Sequence, residues 1–143
     1  YAIAILPLGA FIFLIYYKRR KEDQEENVSV YNSKYAGKYA KKRFSTARKV
    51  LENGDVNKFY EESHKAMLEY LSNKFNVAVA ELSKDRIREL VVTENTDTEL
   101  IADKIIAMLE KCEFARYAPV NPNDNPAELL NEGESIIIEM EKK

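Results

Sequence analysis

Residues 47–60 read Ala-Arg-Lys-Val-Leu-Glu-Asn-Gly-Asp-Val-Asn-Lys-Phe-Tyr. Inside this stretch one helical pattern stops and another starts. Asn53 and Gly54 both accept the left-handed conformation that ends a helix, and Asp55 is a favoured N-cap for a second helix. Upstream, Ala36, Tyr39, Ala40, Phe44, Ala47, Val50 and Leu51 recur at i, i+3, i+4 spacing. They predict a helix from about Lys34 to Glu52 with one apolar face. Downstream, Val56, Phe59, Tyr60, Ala66, Met67, Tyr70 and Leu71 predict the second, ending near Phe75. So short a connection forces the two into an antiparallel hairpin.

The same signals recur toward the C-terminus. Ser83 is placed to cap a short helix, with Leu82 stapling onto Ile87 and with Leu90 and Val91 on its apolar face. Thr96-Asp97-Thr98-Glu99 reads as a capping box ahead of a helix carrying Leu100, Ile101, Ile105, Met108, Leu109 and Cys112, ending near Phe114. Pro119, Pro122 and Pro126 among asparagines predict a loop. A last helix is expected from about Ala127 to Glu141, burying Leu130, Ile137 and Met140, with Gly133 allowing a close approach. Val77–Ala80 has no strand-like partner and reads as an extended connector. Four glycines and four prolines in 143 residues leave little room for the turns of a β fold. The expected class is therefore all-α, a bundle of about five helices over residues 34–143.

Tyr1–Tyr17 is a different kind of segment. No charge interrupts it, and it stops at Lys18, Arg19, Arg20 and Lys21. Seventeen residues of helix span roughly 26 Å, slightly short of the ~30 Å hydrocarbon core of a bilayer. The cations come after the apolar run, whereas in a signal peptide they precede it. The reading is the C-terminal part of a transmembrane helix over 1–17, with Lys18–Lys21 as its stop-transfer signal on the cytoplasmic side. Residues 18–33 then form a basic and polar linker, aperiodic from Glu22 to Ser33. The expectation is a single-pass protein of a bacterial inner membrane with residues 34–143 in the cytoplasm. Without an initiating Met, the chain reads as the C-terminal part of something longer.

Signs of catalysis are missing from the sequence. His64 is the single histidine, and metal or general-base sites need a second convergent group; it reads as an ordinary surface or boundary residue. Cys112 lies on an apolar stripe and reads as a small core residue. One cysteine cannot form an intrachain disulfide. There is no phosphate loop, metal-ligand spacing or serine elbow. The expectation is no enzyme, no cofactor, no metal and no small-molecule substrate. Lys34, Lys38, Lys41 and Lys42 make a basic helix face near the expected membrane, able to rest on anionic headgroups. Nucleic acid is set aside, because no aromatic stacking platform is interleaved on that face and the net charge is -2. In Cys112–Pro119, CEFARYAP, the structural reading packs Tyr117 beside Phe114. The functional reading makes Phe114, Arg116 and Tyr117 a partner-binding patch, since Tyr and Arg are favoured interface anchors.

These elements together resemble a known family. KRRK after an apolar run, ARKVLENGDVNKFYEESHKAMLEYLSNKFNV, ELSKDRIREL, and above all CEFARYAP, look like the membrane-proximal and cytoplasmic part of BatD proteins, the bacterial aerotolerance or oxygen-tolerance family. The hairpin on its own also looks like a tetratricopeptide repeat. The BatD resemblance implies an extracytoplasmic region upstream, one span and a helical cytoplasmic tail without enzymatic activity. It also implies protein partners in a membrane complex: a MoxR-type AAA+ ATPase, von Willebrand factor A-type Bat proteins and a tetratricopeptide-repeat protein. Two functions stand as expectations, a module that docks such partners and a membrane-surface module that binds anionic lipid and passes on position or strain.

Overall fold

Helix α1 is the spine of the molecule. A computed structural model describes residues 5–94, 98–118 and 123–142, and in it α1 runs from Ile5 to Glu52 without a break. This corrects the linker expected over residues 18–33, which is helix. The cause is local. Between Lys18 and Asn32 there is no Pro or Gly, and Lys, Arg, Glu and Gln are strong helix formers. Arg19 and Asp23, then Lys21 and Glu25, place opposite charges one turn apart. The segment lacks an apolar period because it has no apolar neighbour to face; Asp23 to Glu26 are all exposed.

No helix among the described residues is long and apolar enough to cross a membrane. The apolar run expected as a span falls partly on residues 1–4, outside the described residues, and on α1 it passes directly into Lys18–Lys21. Within it, Phe11 to Tyr17 are 50–67% exposed.

Beyond residue 33 the structure is a helical bundle. α1 ends where the sequence puts its stop, with Gly54 at φ 84°. α2 (Val56–Phe75) opens with the Asp55 carboxylate accepting from the Lys58 amide at 3.1 Å, and Asn76 closes it in the left-handed conformation at φ 52°. α1 and α2 form the antiparallel hairpin, the most extensive helix pairing in the fold. The seam on α1 runs Ala36, Ala40, Phe44, Ala47, all buried. It steps by four residues more often than by three, which leaves Tyr39 on the shoulder, 46% exposed and not in the core as expected.

A single 3-10 turn, Val79–Glu81, sits in the connector to α3 (Lys84–Glu94). Ser83 caps α3 through its hydroxyl, which accepts from the Arg86 amide at 3.2 Å. α4 (Glu99–Tyr117) packs on α2 and α3. The capping box expected at its start falls partly outside the described residues. Thr98 occupies the N-cap, but its hydroxyl donates to the Val91 carbonyl at 2.9 Å, tying α4 to α3. Leu100, expected in the core, is 64% exposed, because it falls on the outer side of the first turn of α4, whose inner side buries Ile101 and Ala102. The loop with Pro119 and Pro122 lies outside the described residues. Pro126 is the first residue of α5 (Pro126–Glu141), a position where its missing N–H costs nothing.

α5 closes the bundle against α1, α4 and α2. Its buried face is Leu129, Leu130, Gly133, Ile136, Ile137 and Met140. A Cβ on Gly133 would sit 2.8 Å from both the Phe44 ring and the Met108 methyl, so glycine sets how closely α5 approaches α1 and α4. The core therefore unites α1, α2, α4 and α5 around Phe44, Phe59, Met67, Tyr70, Ile105 and Met108, each no more than 1% exposed.

Candidate functional site

The end of α4 carries the most exposed aromatic pair of the bundle. α4 continues to Tyr117, one turn past the expected stop. That extra turn fixes the directions of its side chains. Cys112 points into the core, and Phe114 and Tyr117 fall on the far side of the helix, 72% and 85% exposed. The expected packing of Tyr117 against Phe114 as a core closure is thus not found. Arg116 is exposed too, its guanidinium 5.8 Å from the centre of the Tyr117 ring, a distance at which cation and ring attract.

Two hollows flank this helix end. One, about 280 Å³, lies between the end of α4 and the start of α5, with Tyr60, Ala115 and Leu129 below Phe114 and with Glu128 and Glu132 on its rim. The other, about 530 Å³ and wide open, is lined on α2 by Lys58, Glu61, Glu62 and Lys65, with Arg116 at its edge. Glu61 and Lys65 pair at 2.7 Å along α2. That hydrogen bond and charge hold the Glu61 carboxyl below its ordinary value and the Lys65 ammonium above its own, with a smaller influence from Arg116 on each. Arg116 therefore stands among charges already matched, with its fork of donors turned to solvent.

His64 is half-buried on α2, its Nε2 3.7 Å from the Glu113 carboxylate. Burial lowers its pKa; Glu113 opposes that shift, and Arg116 adds to it. Burial thus favours the neutral imidazole, which sits as a boundary residue between α2 and α4. Cys112 is fully buried. Burial pushes its thiol up to about 12, far from the thiolate that a nucleophile needs. Among the described residues, no group of three His, Cys, Asp or Glu side chains is arranged to hold a metal ion.

The basic face is where the sequence put it, on one flank of α1, with Lys34, Lys38, Lys41 and Lys42 all exposed. Its aromatic setting was missed. Tyr31 and Tyr35 bring their ring centres to 4.5 Å, and the Lys34 ammonium lies 5.8 Å from the Tyr35 ring. Aromatic rings are thus interleaved with this face, although they pack on each other instead of lying open as separate platforms. The signal was present in sequence as Tyr31, Tyr35 and Tyr39 four residues apart, but the expected linker hid it. Lys18, Arg19, Arg20 and Lys21 form an exposed basic ring on α1.

The candidate site is thus a helix end that presents two exposed rings and a guanidinium on a rigid support. Residues of these types in the open are suited to binding. No family model, curated protein or solved structure matches the chain.

Proposed function

We propose that this chain is a non-enzymatic, membrane-tethered docking module of the BatD kind, whose bundle presents the end of α4 to a protein partner. One observation carries the reading. Phe114 and Tyr117, large rings that a folded chain usually covers, stand 72% and 85% exposed beside Arg116 on the last turn of a well-packed helix. Aromatic and Arg side chains are the residue types that dominate interface energetics. The partners suggested by the resemblance are a MoxR-type AAA+ ATPase, von Willebrand factor A-type Bat proteins and a tetratricopeptide-repeat protein, in a complex linked to oxygen tolerance.

The membrane part of the proposal rests on the exposed apolar end of α1 and on Lys18–Lys21 after it. In lipid, Phe11–Tyr17 would lose the exposure to water that they have on the isolated chain, and the cations would hold the bundle on the cytoplasmic side of a bacterial inner membrane. The lipid-binding reading of Lys34–Lys42 is weaker. In an upright helix Lys34 stands roughly 24 Å along α1 from Lys18, beyond the reach of headgroups that surround the stop-transfer cations.

The test is a pull-down of the three partner classes with the native chain and with Arg116→Ala/Tyr117→Ala. Capture should weaken by about 2 kcal/mol or more if these are binding anchors, while the melting temperature stays unchanged, since both side chains are exposed. Unchanged capture by the doubly substituted chain would overturn the assignment of the site.

A further inference from the structure

The unbroken course of α1 creates a surface that a broken one would not. Val28 is 58% exposed and Tyr31 52% exposed, with Tyr35 ring to ring against Tyr31 and exposed Gln24 one turn before Val28. Their spacing alternates four and three residues, the repeat of a coiled-coil seam. Continued toward the N-terminus, the same spacing meets Lys21, then Tyr17, Leu14 and Ala10, so Lys21 is the one charge between Ala10 and Tyr35 on this line. The seam lies largely opposite Ala36, Ala40, Phe44 and Ala47, which α1 buries in the bundle; Lys21, Gln24 and Val28 also border an open hollow beside Asn76 at the end of α2.

We infer that this face of α1 is a dimerisation surface whose occupant is a second copy of the chain, packed in parallel and in register. The flanking positions are self-complementary for that arrangement. In a parallel pair each g position faces the e position five residues later on the other helix. Arg20 then meets Glu25 of the second copy, Asn27 meets Asn32, and Lys34 meets the Tyr39 ring, so no like charges meet on the flanks. On the seam itself Lys21 faces its own copy, a single polar position of the kind that fixes register at a cost in stability. Beyond Tyr35 the next seam positions are Lys38 and Lys42. These would face their own copies and repel, which ends the coil where the two bundles begin. A lone helix in water is marginal without packing, and a second copy supplies the missing neighbour. With both copies anchored by the same apolar end, the two helices must run parallel. The parallel sense rests on the membrane tether proposed above, whereas the inference is independent of the docking role assigned to the end of α4.

The experiment compares two valines of similar exposure on the full chain in detergent micelles. Val28→Cys lies on the seam; Val30→Cys, at a position 63% exposed, lies off it. Cys112 is sealed in the core and is present in both. Under mild oxidation Val28→Cys should give roughly tenfold more covalent dimer than Val30→Cys, because only facing seam positions bring two Cβ atoms within disulfide reach. Equal yields at both positions would mean non-specific association, and no dimer at either would mean none; each result overturns the proposal. Tyr31→Lys in the otherwise native chain should shift the sedimenting species from dimer to monomer with unchanged helicity. A dimer that survives this change would place the contact elsewhere.

Discussion

Ser63 faces the core of the bundle, fully buried, and its hydroxyl has no hydrogen-bond partner among the described residues. A buried polar group left unpaired costs about 1–3 kcal/mol. Ser63→Ala should therefore stabilise the protein by about 1 kcal/mol, read as a higher urea midpoint with an unchanged slope. A loss of stability would show that the hydroxyl has found a partner. The contrast with Asp55 and Cys112 shows which single residues were legible in the sequence. Asp55 caps through an amide three residues away, and Cys112 is buried because its own helix turns it inward. Both outcomes depend on near neighbours. The lack of a partner for Ser63 depends on what other helices bring to it, and so does the exposure of Tyr117. A helix that stopped at Phe114 would have turned that ring differently.

Helices were legible where their ends carry side-chain or backbone signals. The Gly54 stop and the Asp55 and Ser83 caps stand where the sequence placed them, whereas Pro126, read as loop, is the first residue of α5. The middle of α1, residues 18–33, was not legible as helix, because a solvated helix has no apolar period to read. The approach of α5 was readable at Gly133, and it can be tested there. Alanine gains about 1 kcal/mol in helix propensity over glycine. Its Cβ, however, would lie 2.8 Å from the Phe44 ring and from the Met108 methyl, and overpacking typically costs about 1–3 kcal/mol. Gly133→Ala should lower stability by about 1 kcal/mol net, measured by chemical denaturation. A net gain would mean that both neighbours shift aside at little cost.

The two ends of the bundle's chain are fastened together at one point. Glu141, in the last turn of α5, accepts from the Tyr70 hydroxyl at 2.6 Å and the Lys74 ammonium at 2.9 Å. It lies against Gly37, where a Cβ would meet its Cγ at 2.8 Å. Ser33 donates to the Lys74 carbonyl at 3.0 Å, bringing α1 into the same cluster. No sequence rule pairs residues this far apart, so this contact was invisible until the helices were assembled. Partial burial raises the Glu141 pKa, but the Tyr70 and Lys74 hydrogen bonds overcome it and hold the carboxyl below its ordinary value. A depressed folded pKa means that this stabilisation is present above the unfolded carboxylate pKa, about 4.3, and is lost as pH falls through the lower folded value. Glu141→Gln should cost about 1 kcal/mol at pH 7, and its difference from the native chain should shrink on acidification below about pH 4. A difference independent of pH would mean that the carboxylate charge plays no part. The 48 residues of α1 make a rod roughly 72 Å long, and it enters the bundle with no hinge in the backbone. If its apolar end is held in a bilayer, that rod is a lever. A tilt of about 20°, ordinary for a membrane helix, swings its far end sideways by roughly 25 Å. Membrane thickness and tilt would then decide where beneath the surface the last turn of α4 can be found.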